Sequence, residues 1–382
     1  MLLFTDYLYI YCNQLIITCM KQTNENTVKD TLEVLSKKQN NDWIKIYQGY
    51  AEQIIKNKKK YGTNSSLLQA HKPLIVYSSI GKVKTDSQTT LYDLRFAGQS
   101  VGLLQVDKDK KVLLTVTDEQ SKYAKDNFGF IDSAPLNKVG WKDDINANKF
   151  KQFYSQLKST DKIIIKSPEH RIESEMLLEF GKARRKEDKK LCNIQPVRLG
   201  GKFFQLTTPL KGSTHIPTIS LTQKRNGATG GGIDILARIR HPKTRWRLAV
   251  IELKDQNRSN ESQKVAMFQA LIYATFIASL LRSDSGKLWW YLFRDNYKNK
   301  ELNNIYGLNY SLIKNRLQDV PQKLDLDVIT LMPIGESEEG ILDDIDIPEL
   351  NTTLHLYTLY YDTDINGNPC SFAGTLTDAI KK

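Results

Sequence analysis

Residues 247–254 read Arg-Leu-Ala-Val-Ile-Glu-Leu-Lys. An apolar run this short, free of glycine and proline, is the pattern of a strand buried on both faces. It ends in Glu252 and Lys254, which the two-residue period of a strand places side by side on one face. Charges at a buried strand end are costly unless they are paired or used. Just upstream, Gly230-Gly-Gly-Ile-Asp-Ile-Leu-Ala237 repeats the theme, with glycines, then an apolar strand interrupted by a single acid, Asp234. If the two strands are neighbours, two carboxylates and one lysine converge, which suits a divalent cation beside a phosphate. The plainer use of Glu252 and Lys254 is a structural ion pair.

The rest of the chain narrows the setting. With 382 residues and 40% hydrophobic content it can fill the cores of about two or three domains. A net charge of +12 and a pI near 9.2 favour a polyanionic partner, because clustered Lys and Arg bind phosphates with release of counterions. Cys12, Cys19, Cys192 and Cys370 lack CxxC pairing and read as free thiols of a reducing, cytoplasmic compartment. His71, His170, His215, His241 and His355 show neither HExxH nor triad spacing, and no GxxxxGK[ST] loop occurs, so a nucleotide-driven motor would be a separate protein. Met1–Cys19 is apolar, but Asp6, Asn13 and Gln14 interrupt it and it lacks the basic start of a signal peptide. Met20 is an alternative start, and no membrane span is expected.

Periodicity gives the element order. Trp43, Ile46, Tyr47, Tyr50, Ile54 and Ile55 recur at helical spacing from Asp42 to Lys56. Leu91–Val106 reads as two strands joined at Gly98-Gln99, and Lys110–Thr117 as a third. Residues 20–165 are therefore expected to form a small α+β domain that binds substrate or a partner, dispensable for folding of the remainder. A helix follows from Arg171 to Arg185, entered at Ser167-Pro168. Its stripe of Ile172, Met176, Phe180 and Ala183 is bordered by Glu175 and Glu179, with Glu173 turned further away. Strands are expected near 202–208, 233–239 and 248–253, then a helix from Glu261 to Arg282 carrying Gln269 and Tyr273 one turn apart. Leu288–Phe293 reads as the next strand, and residues 301–382, with strands near 328–334 and 354–361, as an extension or cover of the same sheet. The loop Gln223–Gly232 is basic and glycine-rich, so it is either an Asn-Gly turn or a place where backbone approaches phosphate.

In order, residues 166–300 read helix with Glu, strand, strand with Asp234, strand with Glu252 and Lys254, helix with Gln269 and Tyr273, strand. This resembles the core of the PD-(D/E)XK nuclease superfamily, the restriction-endonuclease-like fold. Glu252-Leu-Lys254 matches its second motif and Asp234 its preceding acid, while Gln269-Ala-Leu-Ile-Tyr273 is similar to the QxxxY helix of the exonuclease-like branch. Ile233 stands where the family name has proline. The resemblance implies an α/β core with a central mixed sheet flanked by helices. It implies Mg²⁺ or Mn²⁺ held by Asp234, Glu252, the main-chain carbonyl of Leu253 and Glu175. Lys254 would orient the attacking water, and Gln269 and Tyr273 would position lysine or substrate.

Lys224, Arg225, Gly231 and Gly232 of the glycine-rich loop, with Arg258 beyond the acidic strand, are the expected nucleic-acid contacts. The activity expected is Mg²⁺-dependent endonucleolytic hydrolysis of DNA, in a restriction or antiviral setting and with a homo-oligomer such as a dimer, or a partner protein, as context. The alternatives are an RNA-directed or end-dependent nuclease and a noncatalytic nucleic-acid-binding module.

Overall fold

The computed structural model of the chain describes residues 24–40, 42–61, 73–79, 90–107, 111–117, 136–157, 167–182, 193–199, 201–212, 217–219, 221–222, 227–228, 230–242, 246–255, 262–294, 317–335 and 342–381, with isolated positions between them. Met1–Cys19, Cys192, Lys224, Arg225 and Arg258 lie outside the described residues. The described residues begin with α1 (24–36) and α2 (Asp42–Tyr61), followed by β1 (Ile75–Ser79), β2 (Thr90–Phe96), β3 (Gln99–Val106), β4 (Val112–Thr115) and β5 (Val139–Gly140). Next come α3 (Ile145–Gln156), α4 (Pro168–Lys182), β6 (Ile194–Pro196), β7 (Arg198–Leu199) and β8 (Lys202–Gln205). Two short pairs, β9 (Leu210–Lys211) with β10 (Thr218–Ile219) and β11 (Leu221–Thr222) with β12 (Gly227–Ala228), precede β13 (Ile235–Arg240) and β14 (Trp246–Leu253). The remainder is α5 (Gln263–Arg282), α6 (Gly286–Phe293), β15 (Leu324–Pro333), β16 (Ile345–Ile347), β17 (Thr352–Thr363), β18 (Pro369–Ala373) and α7 (Thr375–Lys381). The architecture is mixed α and β, built on two large sheets.

The central sheet runs β6-β13-β14-β15-β17, with β16 and β18 both paired to the outer side of β17. β13 is antiparallel to both neighbours, whereas β14, β15 and β17 are parallel. Alternate residues divide between two cores, as the pleat dictates. Leu236, Leu248, Val250, Leu326 and Val328 meet Leu271 and Phe276 of α5 and Trp289 of α6. Ile235, Ala249, Ile251, Ile329 and Leu359 meet Ile172, Met176 and Phe180 of α4 and Leu376 of α7. Helices thus cover both faces, which is why the strands read as unbroken apolar runs. Among the described helices α5 alone has the length and apolarity to cross a membrane, and 78% of its most apolar window is buried inside the protein.

The expected core differs here in one element and in its strand neighbours. Leu288–Phe293 is helix, not strand, because every one of its side chains is buried and no period distinguishes the two states. Its place beside β14 is taken by β15. The strand expected at 202–208 becomes β8, which belongs to the other sheet, and the strand that pairs with the far side of β13 is β6.

The boundary near residue 165 is crossed as well. The second sheet runs β5-β4-β3-β2-β1-β8-β7, so strands on either side of that boundary share one ladder, β1 and β8 in parallel. Trp43 and Tyr47 of α2 pack on Phe276 of α5 at ring distances of 5.6 and 5.0 Å, and the Tyr47 hydroxyl donates to the carbonyl of Thr207. The amino-terminal elements therefore bury the same core as the carboxy-terminal ones. One face of their sheet is apolar, with Val76, Leu94, Phe96 and Leu104 closing on Phe150 and Tyr154 of α3. On the opposite face Tyr77 and Phe203 join the core around α4. The Ala97-Gly98 turn between β2 and β3, with both φ values positive, presses against the first turn of α4. A Cβ on Gly98 would lie 1.9 Å from the His170 carbonyl oxygen, so both the φ of +78° and the close approach demand glycine.

Candidate active site

The strand β14 delivers Glu252, 4% exposed, and the chain immediately beyond it delivers Lys254, 3% exposed. Their side chains are bonded, Lys254 Nζ donating to Glu252 Oε1 at 2.9 Å. Asp234 stands at the entry of β13, and antiparallel pairing brings it to the same sheet end, where its Oδ2 accepts the Leu253 N–H at 2.8 Å. The Lys254 N–H continues the ladder to the Leu331 carbonyl at 3.0 Å, and its own carbonyl accepts the Tyr361 hydroxyl at 3.0 Å. The end of β14 is thus fixed from β13, β15 and β17 at once.

Helices supply the walls. From α5, Tyr273 faces Glu252 and Asp234, and burial together with those carboxyls pushes its hydroxyl far above the ordinary range. A Cβ on Gly231 would meet the Tyr273 oxygen at 1.9 Å, and one on Gly212 would lie 3.3 Å from it. The glycines of the loop are therefore required by close packing on Tyr273 and on the Thr208–Leu210 backbone; Gly232 is exposed. Gln269, one turn before Tyr273, is partly buried, with Oε1 lacking a hydrogen-bond partner.

From α4 comes Glu173, 2% exposed, while Glu175 remains partly exposed. The order expected of these two acids is reversed, because α4 is buried on two sides, by the central sheet and by the amino-terminal one, and the second burial takes in Glu173. Burial pushes the Glu173 carboxyl up to about 8, with Arg95 opposing and Asp234 and Glu169 adding to the rise. Burial and Asp234 likewise raise Glu252 well above the carboxyl range, against the pull of Lys254. For Lys254, burial acts downward, but Glu252, Asp234 and Glu169 outweigh it and hold the ammonium charged.

Asp234 and Glu169 thus act on both Glu252 and Glu173, and together with Glu252 on the lysine. Oε2 of Glu252 and Oε1 of Glu173 are buried without a hydrogen-bond partner, as is Gln269 Oε1. Spare acceptors crowded in this way are what a bound cation would satisfy. Among the described residues no group of three His, Cys, Asp or Glu side chains is placed to hold a metal ion.

The structure therefore brings Asp234, Glu252, Leu253, Lys254 and Tyr273 to one place. It puts Glu173 where Glu175 was expected. Sequence reading missed Glu169, Glu173, Arg95 and Tyr361; the four-residue spacing of Glu169, Glu173 and Leu177 along α4 was the available signal for the first two. No family model matches the chain, and neither curated proteins nor solved structures give a match.

Proposed function

We propose that the chain is a metal-dependent phosphodiesterase acting on nucleic acid, a DNA endonuclease of the PD-(D/E)XK type. The observation that carries this reading is the meeting of Asp234, Glu252 and Lys254 at one sheet end, locked by the Leu253 N–H to Asp234 bond and with Glu252 Oε2 buried and unpartnered. The order α4, three antiparallel strands β6, β13 and β14, then α5 and the parallel strand β15 supports it, since the resemblance leads to a mixed sheet flanked by helices. The excess of positive charge fits a polyanionic substrate.

Asp234 and Glu252, with the Leu253 carbonyl, are the residues that would hold a divalent cation, a pair of carboxylates at one sheet end. When bound, Mg²⁺ or Mn²⁺ supplies Lewis-acid polarisation of a phosphate and acidifies a water molecule. The chain's own contribution is preorganisation. Lys254, kept charged by its carboxylate neighbours and held by Glu252, places a fixed positive charge where negative charge grows on a phosphorane. Tyr273, wedged against Gly231, bounds the site on the α5 side.

Purified protein incubated with supercoiled plasmid, linear duplex and RNA, in Mg²⁺, Mn²⁺, Ca²⁺ or EDTA, tests this. Plasmid cleavage is expected in Mg²⁺ and Mn²⁺, and binding without turnover in Ca²⁺, which is larger and activates water poorly. Equal cutting in EDTA, or no cutting of any substrate, overturns the reading; products from linear duplex or RNA alone redirect it to an end-dependent or RNA-directed enzyme.

A further inference from the structure

The turn that joins β13 to β14 lies at the end of the central sheet opposite the candidate active site, and its sequence carries one sign of charge. From Arg238 to Arg247 the chain reads Arg-Ile-Arg-His-Pro-Lys-Thr-Arg-Trp-Arg, with five basic residues and no acid. The pleat divides the described members between the two faces. Arg247 falls on the α4 face with Ala249 and Ile251, where its guanidinium is bound to Asp327 beside His241. Asp325 and Asp327 share that face, since they alternate in step with Ile329 and Leu331. Arg238, Arg240 and Trp246 fall on the other face, because Arg238 pairs with Leu248 and Arg240 with Trp246, in line with Leu236 and Val250.

Trp246 stands apart from the chain's other tryptophans. Trp43, Trp141, Trp289 and Trp290 are buried, whereas Trp246 is 40% exposed. Its ladder partner Arg240 is exposed as well. Side chains directly opposite in an antiparallel pair have Cβ atoms about 5 Å apart, so an indole and a guanidinium are offered to solvent side by side. Arg238 continues the row inward and is fixed, its Nη1 donating at 2.6 Å to the carbonyl of Arg294 just past α6. The Arg294 guanidinium in turn lies 5.5 Å from the centre of the Trp290 ring. Arginines around an open aromatic ring suit a polyanion that also has flat apolar faces, phosphate meeting guanidinium and base meeting indole. In a duplex the base faces are covered by one another; in a single strand they are free to lie on a ring.

We propose that the Arg240–Trp246 rung is a second nucleic-acid contact, a stacking platform for a single strand. None of its residues belongs to the candidate active site. Trp246 and Leu253 are the two ends of β14, and seven steps of about 3.3 Å set the platform roughly 23 Å from the acids. A strand bound there is anchored at a distance from any chemistry at Asp234 and Glu252.

Titration of the full-length protein with labelled oligothymidylate in EDTA tests the platform without any cleavage. Tryptophan emission is expected to be quenched on binding, and the quenching to disappear in Trp246→Phe. By anisotropy, Trp246→Ala is expected to weaken affinity about 5- to 150-fold, the range for loss of one base–aromatic stack, with Trp246→Phe closer to the parent. Arg240→Gln should flatten the slope of log Kd against log salt by about 0.7, one phosphate contact on a single strand. Both side chains are exposed, so neither change removes core packing, and unaltered circular dichroism checks this. Parental affinity in Trp246→Ala, or binding without quenching, overturns the platform; a loss in Trp246→Ala as large for duplex as for oligothymidylate overturns its assignment to single strands. If the parental chain cuts nothing in Mg²⁺ yet binds and is quenched in EDTA, the nuclease reading fails and the platform stands; plasmid cleavage without quenching is the reverse.

Discussion

Both ends of the central sheet carry buried charges, but they are finished differently. Where β14 and β15 begin, Asp327 is fully buried, with Oδ2 on His241 Nε2 at 2.7 Å and Oδ1 on Arg247 Nη1 at 3.3 Å. Beside it, His355 places Nε2 3.0 Å from Asp325 and Nδ1 2.8 Å from Asp344. Each of these groups is answered by another. Where the same strands end, Glu252 Oε2 and Glu173 Oε1 are buried and unanswered. Buried charge alone therefore marks no function in this protein; what separates the two ends is the spare acceptor, which a folded chain keeps at a cost in stability.

The largest effect that would sharpen this contrast is at the paired end. Asp327→Ala leaves His241 and Arg247 without their carboxylate and is expected to lower stability by about 3–5 kcal/mol in urea unfolding, with the folded fraction cutting at the parental rate. A loss under about 1 kcal/mol would erase the distinction. At the open end, Lys254→Ala should reduce plasmid turnover by on the order of a hundredfold, about 2.7 kcal/mol of transition-state stabilisation, while DNA affinity persists. Should its melting temperature collapse instead and the rate per folded molecule stay constant, Glu252 and Lys254 are a structural pair.

Smaller, and of opposite sign to Asp327→Ala, is the effect of removing a crowded acid. Glu252→Gln should leave the apo protein as stable or about 1 kcal/mol more so. The pH dependence follows from the same crowding. Glu173, at about 8 in the folded protein, binds a proton that the unfolded chain has already released, so the folded state holds more protons between the ordinary carboxyl range and pH 8. Stability is then full at low pH and falls as pH rises through that window, by at most ~1.4 kcal/mol per unit for this one group. Melts of the apo protein at pH 5.5 and 8 check the sign, and Glu252→Gln, by removing a second raised carboxyl, should flatten the decline. The smallest effect is expected at Glu175, whose change to Gln should stay within about 0.5 kcal/mol in stability and leave cleavage unaltered. A loss of activity there with none in Glu173→Gln would restore the order read from sequence.

That order shows where sequence reading stops. Residues 247–254 were legible because both faces of β14 are apolar, and the two-residue period then fixed Glu252 and Lys254 without knowledge of their neighbours. Asp234 was legible for the same reason. Glu173 was not, since its burial comes from a sheet whose strands lie mostly before residue 116 and which packs on α4 from the side opposite the expected core. The α6 segment misled for lack of any polar residue to reveal a period.

The bond from the Tyr361 hydroxyl to the Lys254 carbonyl spans 107 residues of chain, and the one from Arg171 to the Gly367 carbonyl on the neighbouring hairpin spans 196. On a ribosome, where the chain emerges from its amino terminus, Asp234, Glu252 and Lys254 are all made long before the strand that clamps them. Unfinished chains therefore hold the chemical groups without their geometry, so the activity proposed for this site would arise only once the chain is released.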